Sequence, residues 1–213
     1  MKVAILTSLD QWFIPYAKQL NKDIPNSKLF FNHEDIVESF DIVFILSYHQ
    51  IIDKKYLKSH KHNIVIHASD LPLGKGWAPM FWQILEGKNN IIFSMFEASD
   101  GVDNGDIYMK SPLTLTGYEL NQELREKQAL FINKMCLEFI NNYTIYKVPN
   151  RQSGKDSFYN KRTSLDSKLD INKSIKEQFN LFRISSNEEY PAYFEINGHK
   201  YKLNIEEVIN ENR

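Results

Sequence analysis

One cysteine, Cys136, stands among 213 residues. A lone thiol excludes an internal disulfide and a cysteine-built metal cage, which suits a reducing compartment. Long apolar runs are missing as well. No stretch comes near the ~20 apolar residues that a membrane-crossing helix needs, and Met1-Lys2-Val3-Ala4 leads into Ile5-Leu6 and then polar residues rather than a signal-peptide apolar segment. The expectation is a cytoplasmic protein with no membrane partner. An excess of charge of one sign is missing too: 26 basic residues face 27 acidic ones, for a net charge of -1. Proteins that grip nucleic acid through its phosphates carry a basic excess, so a nucleic-acid partner is disfavoured. The composition, 42% hydrophobic and 25% charged, suits a globular chain with room for one ordinary domain and a small appendage.

Near-continuous apolar runs at Val3–Leu6, Ile42–Leu46, Ile64–Ile66 and Ile91–Phe96 predict strands buried on both faces, the habit of a parallel sheet. Helix-like stretches lie between them at Trp12–Leu20, Lys54–Ser59 and Pro79–Leu85, the last stopped by Gly87. This order predicts an α/β fold, an open, doubly wound, mostly parallel sheet with helices on both faces. In such sheets ligands sit beyond the carboxyl ends of the strands, which selects Thr7 and Ser8, Ser47 to Gln50, His67 to Ser69, and Ala98 to Asp103. Gly105–Lys110 can add a short strand. Thr116-Gly117-Tyr118-Glu119 fits a capping box before a long amphipathic helix with apolar Leu120, Leu124, Leu130, Met135, Phe139 and Ile140. Residues 1–148 therefore read as the main domain. Residues 149–213 read as a polar arm, a short helix near Ile175–Phe182, and a hairpin from Tyr193 to Leu203 turning at Asn197-Gly198.

Two segments carry candidate chemistry. The run Ile64-Val65-Ile66-His67 brings a histidine to the end of a strand, and glycines and prolines up to Pro79 shape the loop that follows. A histidine so placed suits proton transfer, although hydrogen bonding to backbone is an equally ordinary role there. The run Glu97-Ala98-Ser99-Asp100-Gly101-Val102-Asp103-Asn104-Gly105-Asp106 offers carboxylates beside glycines, which are more often turn formers when taken alone. It lacks the ligand spacing of a calcium loop. His60, His62 and His67 have no carboxylate or cysteine at zinc-ligand spacing, so no metal is expected.

Together the segments are more specific. The pattern of His67, Ser69, Leu71, Pro72, Gly76, Pro79, Gly87, Asp103, Gly105 and Ile107 resembles the folate-dependent formyltransferase family, which includes methionyl-tRNA formyltransferase, glycinamide ribonucleotide transformylase and the nucleotide-sugar N-formyltransferases. Ser47-Tyr48-His49-Gln50-Ile51-Ile52 is similar to that family's pterin loop, and Tyr159 to Thr163 with Asp166 to Asp170 to its segment after the long helix. The resemblance implies the formyltransferase fold, with N10-formyltetrahydrofolate as cosubstrate. It makes His67 and Asp103 the catalytic pair. The folate slot it implies is formed by Ser47, Tyr48, His49, Gln50, Ile51, Ile52, Ala98, Asp100 and Asp103. The family's usual Asn-x-His is broken here, because Val65 stands two before His67. Asn63 shares that strand face but lies about 13 Å away, too far to substitute.

Glycinamide ribonucleotide transformylase opens with a glycine-rich phosphate loop, whereas this chain reads Leu6-Thr7-Ser8-Leu9-Asp10-Gln11. A tRNA enzyme calls for a further domain and a basic surface. Trp12-Phe13-Ile14-Pro15 and the run from Leu71 to Pro79 resemble the compact sugar N-formyltransferases, the pseudaminic-acid pathway type among them, so the expected acceptor is a nucleotide-linked 4-amino-4,6-dideoxy sugar, UDP- or dTDP-linked, of the kind used in glycan biosynthesis. The methionyl-tRNA and glycinamide ribonucleotide activities stand as alternatives, as does a lapsed enzyme that binds folate and nucleotide sugar without transfer. A nucleoside diphosphate wants cations and stacking faces, which selects Lys75, Lys161 and Arg162 for phosphates and Trp77, Phe158 and Tyr159 for the base or sugar. The aromatic tail from Tyr190 to Phe194, with its hairpin, is a candidate homodimer contact.

Overall fold

A computed structural model describes residues 1–208. The elements in chain order are β1 (Val3–Leu6), α1 (Ile14–Asp23), β2 (Lys28–Phe30), β3 (Ile42–Ile45), α2 (Lys54–Leu57), β4 (His62–His67), β5 (Lys75–Gly76) and α3 (Pro79–Leu85). They continue with β6 (Asn90–Glu97), β7 (Ile107–Thr114), α4 (Asn121–Asn141), α5 (Tyr143–Tyr146), β8 (Phe158–Tyr159), α6 (Phe179–Ile184), β9 (Ala192–Ile196) and β10 (His199–Leu203).

Six strands form one sheet in the order β2-β1-β3-β4-β6-β7. The first four run parallel, which leaves a change of winding direction between β1 and β3. The mostly parallel α/β sheet is the one the apolar runs predict. β6, however, runs antiparallel to β4, and β7 antiparallel to β6. An unbroken apolar run reports burial on both faces and not strand direction, which is why the sequence reading took Ile91–Phe96 for another parallel strand. The short β2 escapes the apolar pattern because its side chains are only partly covered.

The two faces are covered unequally. Ile5, Ile42, Phe44 and Ile64 pack on Ala17 and Leu20 of α1, on Met80 and Ile84 of α3, and on Leu124, Met135 and Phe139 of α4. Each such apolar side chain withdrawn from water contributes about 1.5–3 kcal/mol. On the other face Ala4, Leu6, Val43 and Ile45 meet Ile36, Phe40, the single turn of α2 and Ala98 of the β6–β7 loop. Helices thus cover one face, while loops cover most of the other.

Capping chemistry sets two helix starts. Pro79 opens α3, and Gly87 at φ 86° follows its end. α4 begins at Asn121, where Glu123 reaches back to accept the Leu120 N–H at 2.9 Å. Only half of the Thr116–Glu119 box forms: the Thr116 N–H donates to Glu119 Oε1 at 2.7 Å, but the Thr116 hydroxyl accepts from the Tyr118 N–H at 3.3 Å, so the segment closes a turn instead of starting the helix. The cause is Glu119 itself, which is 3% exposed and paired with buried Arg183 of α6 at 3.0 Å. Leu130, expected on the apolar face of α4, is 52% exposed. Residues 149–208 are tied to the sheet domain rather than hung from it: Asn150 bridges Ile107 in both directions, β8 pairs with β5, and Arg183 reaches Glu119. The hairpin turns at Asn197 and Gly198, both at positive φ, as an Asn-Gly type I′ turn requires.

Candidate active site

β4 carries His67 to its carboxyl end, where the side chain is 11% exposed. Its Nε2 lies 2.9 Å from the Gly74 carbonyl oxygen. A carbonyl only accepts, so Nε2 carries a ring proton, and in the neutral ring Nδ1 then has the lone pair. Asp103 Oδ2 stands 3.6 Å from the same Nε2 and accepts the Gly76 N–H at 2.8 Å. The loop from Ser69 to Pro79 therefore supplies two backbone groups, one that orients the imidazole and one that orients the carboxylate.

Asp103 arrives by an indirect path. Because β6 is antiparallel, its carboxyl end lies at the opposite edge from that of β4, with Glu97 beside Ile64 and the Ala98 N–H on the Asn63 carbonyl at 2.7 Å. The loop then folds back over the sheet until Asp103, at φ 51°, faces His67. Such a backbone is uncommon for a residue with a side chain, though aspartate tolerates it better than most. Gly105 completes the return. A Cβ there would lie 1.5 Å from the Glu97 carbonyl oxygen, so only glycine fits.

Val65 packs against the Ala4, Leu6, Val43 and Ile45 cluster and offers no polar atom to the site. Asn63 is held at the far end of the strand, its amide donating to the Leu57 carbonyl at 2.8 Å and to Glu97 Oε1 at 3.3 Å. A buried chain starts there. Burial drives Glu97 and Tyr108 above their ordinary pKa values and His62 below its own, and Tyr108 links the other two by hydrogen bonds.

The residues selected for a folate slot fall on two facing loops, joined where Asp100 pairs with Lys54 at the start of α2. Ser47, at φ 50°, donates to Gln11 Oε1 at 3.0 Å. Tyr48 accepts the His33 N–H at 3.1 Å and donates to Gln50 at 3.0 Å. The His49 N–H reaches Ser8 Oγ at 3.4 Å. Ile52 and Ala98 pack inward, whereas Ile51 is 94% and Val102 57% exposed. Each loop thus carries one bare apolar side chain.

The residues selected for a nucleotide separate into two groups. Trp77 and Phe158 are more than half exposed, and the Lys161 ammonium lies 4.9 Å from the Trp77 ring centre. The others are already engaged. Lys75 is 3% exposed, its ammonium shared by Asn104 and Asp156, so its charge is answered inside the protein. Tyr159 stacks on Trp82 and donates to Glu86 at 2.7 Å, while Arg162 turns to the Asp166 carbonyl and Ser167. Beside them a polar cleft of about 240 Å³ is lined by Pro72, Lys75, Asn104, Asp106, Arg151 and Gln152, among others. Gln152 escaped the sequence reading. Its amide donates to the carbonyls of Asp103 at 2.8 Å and Gly105 at 2.6 Å. Nothing in Arg151-Gln152-Ser153-Gly154 distinguishes it from an ordinary polar arm. Among the described residues no group of three or more His, Cys, Asp or Glu side chains is arranged to hold a metal ion.

The sequence profile of the formyl transferase family matches residues 32–138, half of the chain, and the chain belongs to that family. A methionyl-tRNA formyltransferase of Thermosipho melanesiensis is 33% identical over 135 residues, which cover 63% of this chain and 44% of that protein. The chain spans about half the length of the curated relatives it matches. Among solved structures, a methionyl-tRNA formyltransferase from Clostridium thermocellum matches with a TM-score of 0.80 at 20% identity, over 100% of this chain and 95% of that one. A sugar N-formyltransferase from a Shewanella species matches with a TM-score of 0.70 at 16% identity, over 99% of each chain. Both structural likenesses show the shared fold.

Proposed function

We propose that this chain transfers the formyl group of N10-formyltetrahydrofolate to the amine of a nucleotide-linked 4-amino-4,6-dideoxy sugar. The observation that carries the transfer chemistry is the His67 Nε2–H held between the Gly74 carbonyl and the Asp103 carboxylate. An amine that adds to a formyl carbon must lose a proton, and the lone pair of Nδ1 can take it. The Asp103 carboxylate stabilises the imidazolium, which gives its proton to N10 of the folate as the bond from the formyl carbon to N10 breaks and tetrahydrofolate leaves. Charge also develops on the formyl oxygen, and the family's usual asparagine donor is replaced by Val65. A donor of this kind contributes about 3–4 kcal/mol, so its loss slows transfer without abolishing it. The folate is assigned to the loops 47–52 and 98–103, where Ile51 and Val102 offer exposed apolar side chains.

Trp77 and Phe158 support the sugar-nucleotide acceptor, because exposed aromatic faces suit a base or pyranose, and Lys161 suits a phosphate. A second reading, methionyl-tRNA as acceptor, is favoured by the likeness to the Thermosipho relative. The test supplies purified protein with N10-formyltetrahydrofolate and, in parallel, UDP- and dTDP-linked 4-amino sugars and methionyl-tRNA, and follows release of tetrahydrofolate. Release with a sugar nucleotide alone is the expected result. Release only with the tRNA overturns the acceptor, and binding of both small ligands without release overturns the transfer.

A further inference from the structure

The geometry points to Gln152 as a positioning residue for Asp103, an inference that rests on the transfer reading of the His67 and Asp103 pair. The Asp103 carboxylate can meet His67 only while residues 103–105 keep their turned-back path, with Asp103 at φ 51°. That path points the carbonyls of Asp103 and Gly105 toward the arm, where both accept from the one amide group of Gln152, at 2.8 and 2.6 Å. The amide has two donor hydrogens and spends one on each carbonyl. Gln152 is placed in turn by Asn150, whose N–H donates to the Ile107 carbonyl at 2.8 Å while its carbonyl accepts the Ile107 N–H at 2.7 Å. The same turn is also held by the Lys75 ammonium on Asn104. Gln152 touches neither His67 nor the Asp103 carboxylate, so its effect on the chemistry passes through backbone alone.

A misplacement of about 1 Å at a reacting group can cost ~100-fold in rate, and that sets the scale for losing the clamp. Gln152→Leu is expected to lower kcat by roughly 10- to 100-fold with KM for folate and acceptor within about twofold of wild type. Gln152→Glu has the same shape and sets a charged acceptor against two carbonyls. Its kcat, taken as a ratio to wild type at each pH, is expected to rise toward the acid side, where the protonated carboxyl regains one donor. A purely structural residue would not show that pH-dependent recovery. Unchanged kcat in Gln152→Leu, a loss confined to KM, or a flat ratio in Gln152→Glu overturns the proposal.

A second readout needs no activity. In amide hydrogen exchange followed by NMR, Gln152→Leu is expected to lose protection at the Gly76 N–H, which donates to Asp103, while the Lys75 and Trp77 amides, bonded to Ser157 and Tyr159 carbonyls, stay protected. Equal protection of Gly76 in both proteins overturns the positioning role even where wild type transfers formyl. Selective loss in Gln152→Leu, with a wild-type protein that transfers nothing, leaves the clamp standing and removes the transfer reading.

Discussion

His67 and Asp103 meet across two strands of opposite direction. The histidine stands at the carboxyl end of β4, while the aspartate follows β6, whose own carboxyl end is at the other edge, and still Oδ2 comes within 3.6 Å of Nε2. The pair therefore depends on the return path of a loop as much as on either side chain.

Removing the pair tests the chemistry directly. His67→Ala and Asp103→Asn are each expected to lower kcat about 100- to 10,000-fold while circular dichroism and thermal unfolding stay near wild type. Near-full turnover in either purified variant takes that residue out of the mechanism.

Gly105→Ala tests the return path. Its new Cβ would fall 1.5 Å from the Glu97 carbonyl, so β6 or the loop must move. The expected result is a melting temperature lower by on the order of 10 °C together with lost turnover. A melting curve that coincides with wild type would contradict the described backbone.

The buried pair of Arg183 and Glu119 should dominate the docking of α6. Burial alone would raise the Glu119 pKa, but the Lys127 ammonium and the Thr116 N–H hold it at about 2, below the ordinary 4.5. Its ionised form is thus the one the fold favours. The stabilisation is present above pH 4.5 and fades as pH falls toward about 2. Arg183→Met leaves Glu119 buried with part of its pairing gone and is expected to cost about 3–5 kcal/mol at neutral pH. Denaturant titrations of wild type and Glu119→Gln at a series of pH values should converge across the acid window. A constant difference would show that Glu119 does not titrate there.

Cys136 is fully enclosed on α4, and burial pushes its thiol well above the usual range. A thiol reagent such as Ellman's should leave the native protein unlabelled and react at one equivalent after unfolding. Rapid labelling of the folded protein would place Cys136 elsewhere.

Periodicity made the parallel core legible, since Val3–Leu6, Ile42–Ile45 and Ile64–Ile66 are unbroken apolar runs on the strands observed. It did not reveal the direction of β6, because burial on both faces leaves the same trace in either direction. The link between His67 and Asp103 is legible only through resemblance, in the glycines and prolines that surround them. Lys75 misled because a lysine among glycines reads as exposed, whereas its partner Asp156 comes from 81 residues further on. Gln152 was invisible for the same reason: it acts 49 residues away from Asp103, by a contact that no local pattern encodes.

The unequal covering of the sheet has a consequence for how such a protein diversifies. The larger hydrophobic cluster lies under α1, α3 and α4, while the loops on the other face rest on a smaller one through Tyr48, Ile52 and Ala98. Exposed Ile51, Trp77, Val102 and Phe158 can change without disturbing that packing, whereas Tyr48, Ile52, Ala98 and Gly105 in the same loops cannot. Within one loop, then, some positions are free to vary and their neighbours are bound to the fold.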